Sequence, residues 1–294
     1  MARVMAEPPR VRAVDEQDLP IVRRFLEQHA DTSMFLLSSL ATNGPRMGEA
    51  LNSGEFKLIE HDGDVRAVFC LTRRTPILAQ AGGGTEYARA IVEACLQEPG
   101  PIGGVLGEWP LADAIWSILR ERPSFKEIYA CKEILQARDL TEADASRDAT
   151  PHVRPLRPQD FDQWDALNHA FAQQEGLPRH GTPAERKSLF EDATRAGRWW
   201  GYFEDDRLSS TAGLNALYKH IGQVGGVYTV PEKRGLGFST TTMTTLMADS
   251  VRVHGLQRLV LFTGDHNRAA RRVYDRLGFA TIGDFALLMC EPIE

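Results

Sequence analysis

Cysteine is scarce in this chain: four in 294 residues, at Cys70, Cys95, Cys131 and Cys290, with no C-x-x-C among them. That scatter excludes a disulfide framework and a thiolate metal site, and fits the reduced thiols of a cytoplasmic protein. Cys70 and Cys290 lie in apolar runs and are expected to be buried and inert. Long apolar runs are lacking as well. Met34-Phe-Leu-Leu, for one, is far too short to cross a bilayer. The opening MARVMAEPPRVRAV has no apolar core of the kind a signal peptide needs. A soluble, intracellular chain with no membrane partner is therefore expected. There is no excess of positive charge either. The formal net charge is −6; the first 150 residues carry 17 basic and 23 acidic side chains, and the remainder carry 17 of each. Neither half has the basic surplus that nucleic acid demands. Basic residues of the second half do gather around 233–234 and 268–276, and a local cluster is what an anionic ligand requires.

What is present is ordinary globular composition, 43% hydrophobic and 25% charged, over a length that suits two domains. A repeat supports that division. VRAVDEQDL begins at Val11 and VRPLRPQDF at Val153, so Val11, Arg12, Gln17 and Asp18 match Val153, Arg154, Gln159 and Asp160. Each copy leads into a helical pattern: Leu19, Val22, Phe25 and Leu26 in the first, Phe161, Trp164, Leu167 and Phe171 in the second. A second helical stretch and paired strands around an acidic turn follow, FKLIEHDGDVRAVFCL in one half and WWGYFEDDRLSSTAGLNAL in the other. The polar segment Arg138–Pro151 reads as a linker that can also form a short helix. The expectation is two α/β domains of one plan, 1–145 and 150–294, each a mixed sheet flanked by helices.

In the second half the order is strand 152–157, helices 160–174 and 183–196, then strands 199–204, 207–217 and 221–230. A glycine turn at 235–237 opens a helix to about His254, with Met243, Leu246, Met247 and Val251 on its apolar face. Strand 258–263, a helix from near Asn267 and closing strands over 279–290 complete it. The turn is Val230-Pro-Glu-Lys-Arg-Gly-Leu-Gly-Phe-Ser-Thr240. Positive charge and bare backbone at a helix N-terminus suit a phosphate. A Walker loop fits poorly, because no lysine plus hydroxyl follows the second glycine, and this disfavours a nucleotide hydrolase built on one. A Rossmann turn fits poorly, since Gly235-Leu-Gly237 lacks the third glycine and lies late in its domain.

Arg234-Gly-Leu-Gly237-Phe-Ser239 instead resembles the R/Q-x-x-G-x-G/A signature of the GNAT acyltransferase superfamily, with Ser239 where the family prefers glycine or alanine. Downstream, Asn267-Arg-Ala-Ala270-Arg-Arg-Val-Tyr274-Asp-Arg-Leu-Gly278-Phe279 resembles its N-x-x-A-x-x-x-Y-x-x-x-G-F hallmark. Gly225-Gly-Val-Tyr-Thr-Val-Pro231 resembles the family's fourth strand, and the VYTVPE wording looks like the glycine N-acyltransferase-like branch. The resemblance implies two GNAT-like domains in tandem with an acyl-CoA, chiefly acetyl-CoA, as co-substrate. It implies that the pantetheine arm lies along Val227, Tyr228, Thr229 and Val230. The pyrophosphate then lies at Lys233, Arg234, Gly235, Leu236, Gly237, Phe238, Ser239 and Thr240, with Asn267 and Ala270 beside the arm. Tyr274 is the implied proton donor to the departing thiolate, and no metal is implied.

The reaction so implied is N-acylation of a primary amine of a small molecule or amino acid by direct attack. The alternative is a sensor or scaffold that binds acyl-CoA and transfers nothing. His220, Asp265, His266 and Glu175 are candidates for a general base by residue type alone; each has a plain reading as a cap or exposed polar side chain. In the first half Gln80-Ala-Gly-Gly-Gly-Thr85 also opens a helix, Glu86–Leu96, but no basic pair precedes it. Its later helix, Leu111–Leu119, has no N-x-x-A-x-x-x-Y. That half reads as a degenerate copy, with Glu108 and Trp109 as weak candidates for shaping an acceptor pocket. Tandem arrangements occur in the superfamily, among them enzymes resembling mycothiol synthase. A monomer or homodimer is expected.

Overall fold

The repeated Val-Arg and Gln-Asp are two copies of one clasp. In the computed structural model, which describes residues 8–146, 150–179 and 181–293, Arg12 grips both carboxylate oxygens of Asp18, at 2.5 and 2.8 Å. Arg154 grips Asp160 in the same two-pronged way, at 2.7 and 2.9 Å. Each aspartate also accepts a backbone N–H three residues earlier, from Asp15 at 2.9 Å and Arg157 at 2.7 Å, and so caps a short 3-10 turn. Two identities in the sequence are thus one device for turning a strand into a helix. Part of the expected linker, residues 147–149, lies outside the described residues, as do residues 1–7 of the N-terminus.

The chain divides into two compact units. The first takes the chain up to Glu133 together with residues from Asp284 onward; the second is Ile134–Gly283. These are not the two halves expected from the repeat.

In the first unit β1 (Arg10–Ala13) precedes α1 (Leu19–Glu27) and α2 (Ala30–Asn43). Then come β2 (Gly54–His61), β3 (Asp64–Thr72), β4 (Pro76–Ala81), α3 (Ala88–Cys95), β5 (Ile102–Glu108), α4 (Trp109–Arg120) and β6 (Glu127–Asp139). β1 to β4 are joined antiparallel, β4 and β5 parallel. β4 is paired with β5 as far as Ala79 against Gly107. The neighbour of β5 on its other side comes from the far end of the chain: Phe285–Met289 of β12 (Ala280–Ile293) runs antiparallel to Gly104–Glu108. Phe69, Ile77, Ile91, Trp116, Leu288 and Ile293 belong to one buried cluster, so this terminal strand is part of the unit's core. Burial raises the Cys70 thiol well above its ordinary value, Cys95 to about 12 and Cys290 to about 11, which leaves these thiols unreactive.

The second unit continues with α5 (Glu142–Ala145), the short helix the linker allowed, then β7 (Val153–Pro155), α6 (Phe161–Glu175) and α7 (Pro183–Arg195). β8 (Trp199–Glu204), β9 (Arg207–Tyr218), β10 (Ile221–Thr229), α8 (Phe238–Arg252), β11 (Arg258–Gly264) and α9 (Arg268–Arg276) complete it. The strand order is β6, β11, β10, β9, β8, β7, with the later residues of β6 as one edge. Arg138 of that edge holds the Asp144 carboxylate at 2.7 Å and donates to the carbonyl of Leu277. Two apolar clusters flank the sheet. One joins Val224, Met243, Leu246, Leu259 and Tyr274, and the other Trp164, Phe190, Trp199 and Leu208. The expected closing strands over 279–290 are a single strand, β12, whose residues from Asp284 serve the first unit.

Arg12 holds the Asp18 carboxyl down to about 2. The unfolded value is near 3.9, so this clasp adds stability above about pH 4 and loses it as pH falls toward about 2. Asp18→Asn is expected to lower the unfolding midpoint at pH 7 and to flatten its dependence on pH between about 4 and 2, measured by denaturant titration.

Candidate active site

The site is organised by a strand that loses one neighbour. β10 pairs with β9 along its length, with register shifts between Gln223 and Val224 and between Gly225 and Tyr228. With β11 it pairs only over Ile221–Gln223 against Arg258–Val260. The bulge follows from Gly225-Gly226. Gly226 has φ +61°, and a Cβ there would lie 2.3 Å from Cη2 of Trp199, whose indole also covers Gly213. Beyond the bulge the hydrogen bonds alternate. The Gly226 carbonyl accepts from Thr211 Oγ1 at 3.0 Å, the Tyr228 carbonyl from Ser210 Oγ at 3.0 Å, and the Val230 N–H donates to Ser209 at 3.0 Å. Val227 and Thr229 therefore turn their backbone polar groups away from β9, onto the side where β11 no longer pairs.

The glycine turn follows directly. Gly235 and Gly237 have φ +77° and +87°, and a Cβ built on either would meet nothing within 4 Å. Bare backbone here faces open space. Gly237 is the N-cap of α8 and supplies no side-chain cap, so the N–H groups of Phe238, Ser239 and Thr240 point out of the helix end. The first helical bond is Thr241 N–H to Gly237 O at 2.9 Å. Phe238 is fixed by stacking on Tyr202, centroids 4.0 Å apart. Thr241, Thr242, Thr244 and Thr245 each donate to a carbonyl four residues back, so their hydroxyls are satisfied within the helix. Both basic residues are already engaged. Lys233 pairs with Glu204 at 2.8 Å; Arg234 donates to the Thr229 carbonyl at 3.0 Å and to Gln174, with its guanidinium over Tyr228.

On the other side of the opening, Asn267 caps α9, its Oδ1 accepting from Ala270 N–H at 3.1 Å. Tyr274 is 5% exposed, within the apolar cluster and 6.0 Å from the Phe279 ring. The four candidates for a base separate. His220 lies in the hairpin at the opposite end of β10 from the glycine turn, 3.2 Å from the Gly255 carbonyl. Asp265 is 77% exposed and bound to Arg271. Glu175 and His266 come together, with 3.8 Å between carboxylate and Nε2, and the imidazole lies against the Gly264 backbone.

Sequence reasoning named Glu175 by residue type but missed what the end of α6 packs on. Phe171 packs on Tyr228 at 6.1 Å, Gln174 on Arg234 and Glu175 on His266. It also passed over Gln223, a polar residue in an apolar strand, which is 2% exposed. The corresponding turn of the first unit differs. β4 ends at Ala81, two residues after its last rung with β5, and the Glu86 carboxylate lies over Gly84, where a Cβ would be 1.9 Å from Oε2. Glu108 accepts from Gln80 at 3.3 Å, and Trp109 lies under Lys132.

The second unit thus combines a mixed sheet with a bulged strand, a glycine turn onto a helix and a second capped helix. Residues 162–279 match the Acetyltransferase (GNAT) family. The mycothiol acetyltransferase of Streptomyces avermitilis is 31% identical over 166 residues, 53% of this chain and 51% of the relative. The chain thus spans about half the length of that protein. Among solved structures, a GCN5-related N-acetyltransferase from Sphaerobacter thermophilus has TM-score 0.60 at 14% identity, over 97% of this chain and 96% of its own. A tandem GNAT protein from the clavulanic acid biosynthesis pathway has TM-score 0.54 at 13% identity, over 97% and 98%. At these identities the likeness is one of fold, and it extends over nearly the whole chain.

Gly226→Ala combines a left-handed backbone with a clash against Trp199 and is expected to cost about 2 kcal/mol or more. Gly283→Ala, where a Cβ meets nothing within 4 Å, is expected to be nearly neutral. Paired thermal melts read the difference.

Proposed function

We propose that the second unit is an N-acetyltransferase that passes an acetyl group from acetyl-CoA to a primary amine by direct attack in a ternary complex. The observation that carries the reading is the pairing of two open glycines at a helix N-terminus with a strand that has parted from its neighbour. The turn fits a pyrophosphate: Gly235 and Gly237 leave the backbone bare, and the N–H groups of Phe238, Ser239 and Thr240 face outward along a helix dipole. Leu236, 63% exposed between the glycines, leaves that approach clear. Lys233 and Arg234 brace the turn and add positive potential. Val227 and Thr229 offer backbone groups to the pantetheine amides as an added strand would, with Tyr228 and Val230 holding that edge to β9. Asn267 and Ala270 fix the start of α9 beside the arm.

Acetyl-CoA supplies an activated thioester. The protein's part is to orient it, exclude water and move protons. Tyr274 is the donor to the departing thiolate, and Glu175 with His266 is the group best placed to take the proton of the amine. The acceptor is a small-molecule amine, a class in keeping with the name of the mycothiol acetyltransferase relative. The VYTVPE wording is the reason to associate the domain with the glycine N-acyltransferase-like branch. In the first unit β4 stops at Ala81 and leaves no long free edge, and the Glu86 carboxylate opposes a phosphate, so we read it as a copy without productive CoA binding. The burial of Tyr274 in an apolar cluster favours a second reading, an acyl-CoA sensor that performs no transfer.

Release of free thiol from acetyl-CoA over a panel of primary amines separates the two. An enzyme releases thiol with at least one amine, whereas a sensor binds acetyl-CoA and releases none. Tyr274→Phe is expected to bind CoA as the parent does and to lose about 10²-fold or more in turnover; full turnover would remove Tyr274 from the chemistry.

A further inference from the structure

Gln223 is satisfied at one end only. Its Nε2 donates to the Val224 carbonyl at 2.6 Å, which fixes the nitrogen end of the amide. Its Oε1 is buried and has no hydrogen-bond partner among the described residues. The first unit holds the same device completed. Gln80, fully buried, donates its Nε2 to the next carbonyl along its own strand, Ala81 at 2.8 Å. Its Oε1 accepts from Thr32 Oγ1 at 2.7 Å and Ser33 Oγ at 3.1 Å, both from the first turn of α2. Both glutamines stand where a parallel strand pair ends, Gln80 just after Ala79–Gly107 and Gln223 at its rung with Val260. In the second unit the helix end over the site gives Phe171, Gln174 and Glu175 to Tyr228, Arg234 and His266.

A buried acceptor without a donor is costly, and a fold that closes it in one copy and leaves it open in the other reserves it for a ligand. Val224, next along the strand, belongs to the apolar cluster that includes Met243 and Leu246 of α8, so alternation puts Gln223 on the opposite face. There it lies at the closed end of the opening between β10 and β11. A pantetheine arm lying along Thr229 and Val227 advances its thioester toward that end. We propose that Gln223 Oε1 receives an N–H of the acceptor amine, making Gln223 the residue that selects an acceptor carrying a hydrogen-bond donor at its reacting nitrogen. The proposal rests on the acyl-CoA reading of the second unit. A pantetheine amide N–H is the competing donor to the same oxygen, and the probes below separate the two.

Three ligands are titrated calorimetrically into the full chain. They are CoA, S-(ethylcarbamoylmethyl)-CoA, with an amide N–H just beyond the sulfur, and S-(ethoxycarbonylmethyl)-CoA, the ester that lacks it. The expected result is about tenfold tighter binding of the amide than of the ester. Gln223→Met is expected to abolish that preference and leave CoA affinity unchanged; Gln223→Glu, which keeps an oxygen, retains the preference. Equal binding of amide and ester by the unaltered chain overturns the proposal and needs no variant to fold. A preference that survives in Gln223→Met also overturns it. Loss of CoA affinity in Gln223→Met assigns the oxygen to the cofactor arm instead. Failure of the unaltered chain to bind CoA overturns the acyl-CoA reading and this proposal with it, whereas CoA binding without amide preference overturns this proposal alone.

Discussion

A strand paired on both sides has no backbone group left for a ligand, and the candidate site exists because β10 loses β11 after Gln223. The cause is local. Two successive glycines, one left-handed, let the strand bulge around the Trp199 indole, and a bulged strand cannot keep register on both edges. Everything downstream inherits its position from that bulge: the exposed edge at Val227 and Thr229, the turn at Gly235 and Gly237, and the end of α8. Arg234 closes the loop by tying the turn back to the Thr229 carbonyl and across to α6.

The first unit acts as an internal comparison. It repeats the arginine–aspartate clasp, the helices and a parallel strand pair that ends at a glutamine, yet β4 stops at Ala81 where β10 runs on to Thr229. Its glycine turn carries a carboxylate where a phosphate needs positive potential. Gln80 is closed off by hydroxyls where Gln223 is open. One architecture thus appears once in sealed form and once in open form, and the differences fall at a few residues rather than in the fold.

Much of this was legible from local signals. The elements of the second unit were placed to within a few residues because glycine, proline and charged turns separate apolar runs of clear period. The Asn267 cap and the Gly235–Gly237 turn were readable because each is set by its own few residues. What was not legible depends on partners distant in sequence. Nothing within Ala280–Ile293 says that its later residues pair with Gly104–Glu108, so closing strands of the second half were expected where a single strand gives its later residues to the first unit. The tail of α6 reads as a plain polar helix end; only packing brings Glu175 to His266 and leaves His220 and Asp265 aside. Gln223 looks like an ordinary strand residue until its unpartnered oxygen is seen.

The central claim is that the opening beside β10, and not its closed counterpart beside β4, receives the cofactor. Amide hydrogen exchange with and without CoA tests this on the intact chain. The account predicts protection concentrated in 227–240, with exchange at 78–90 unchanged. Protection at 78–90, or none at 227–240 under saturating CoA, would contradict it.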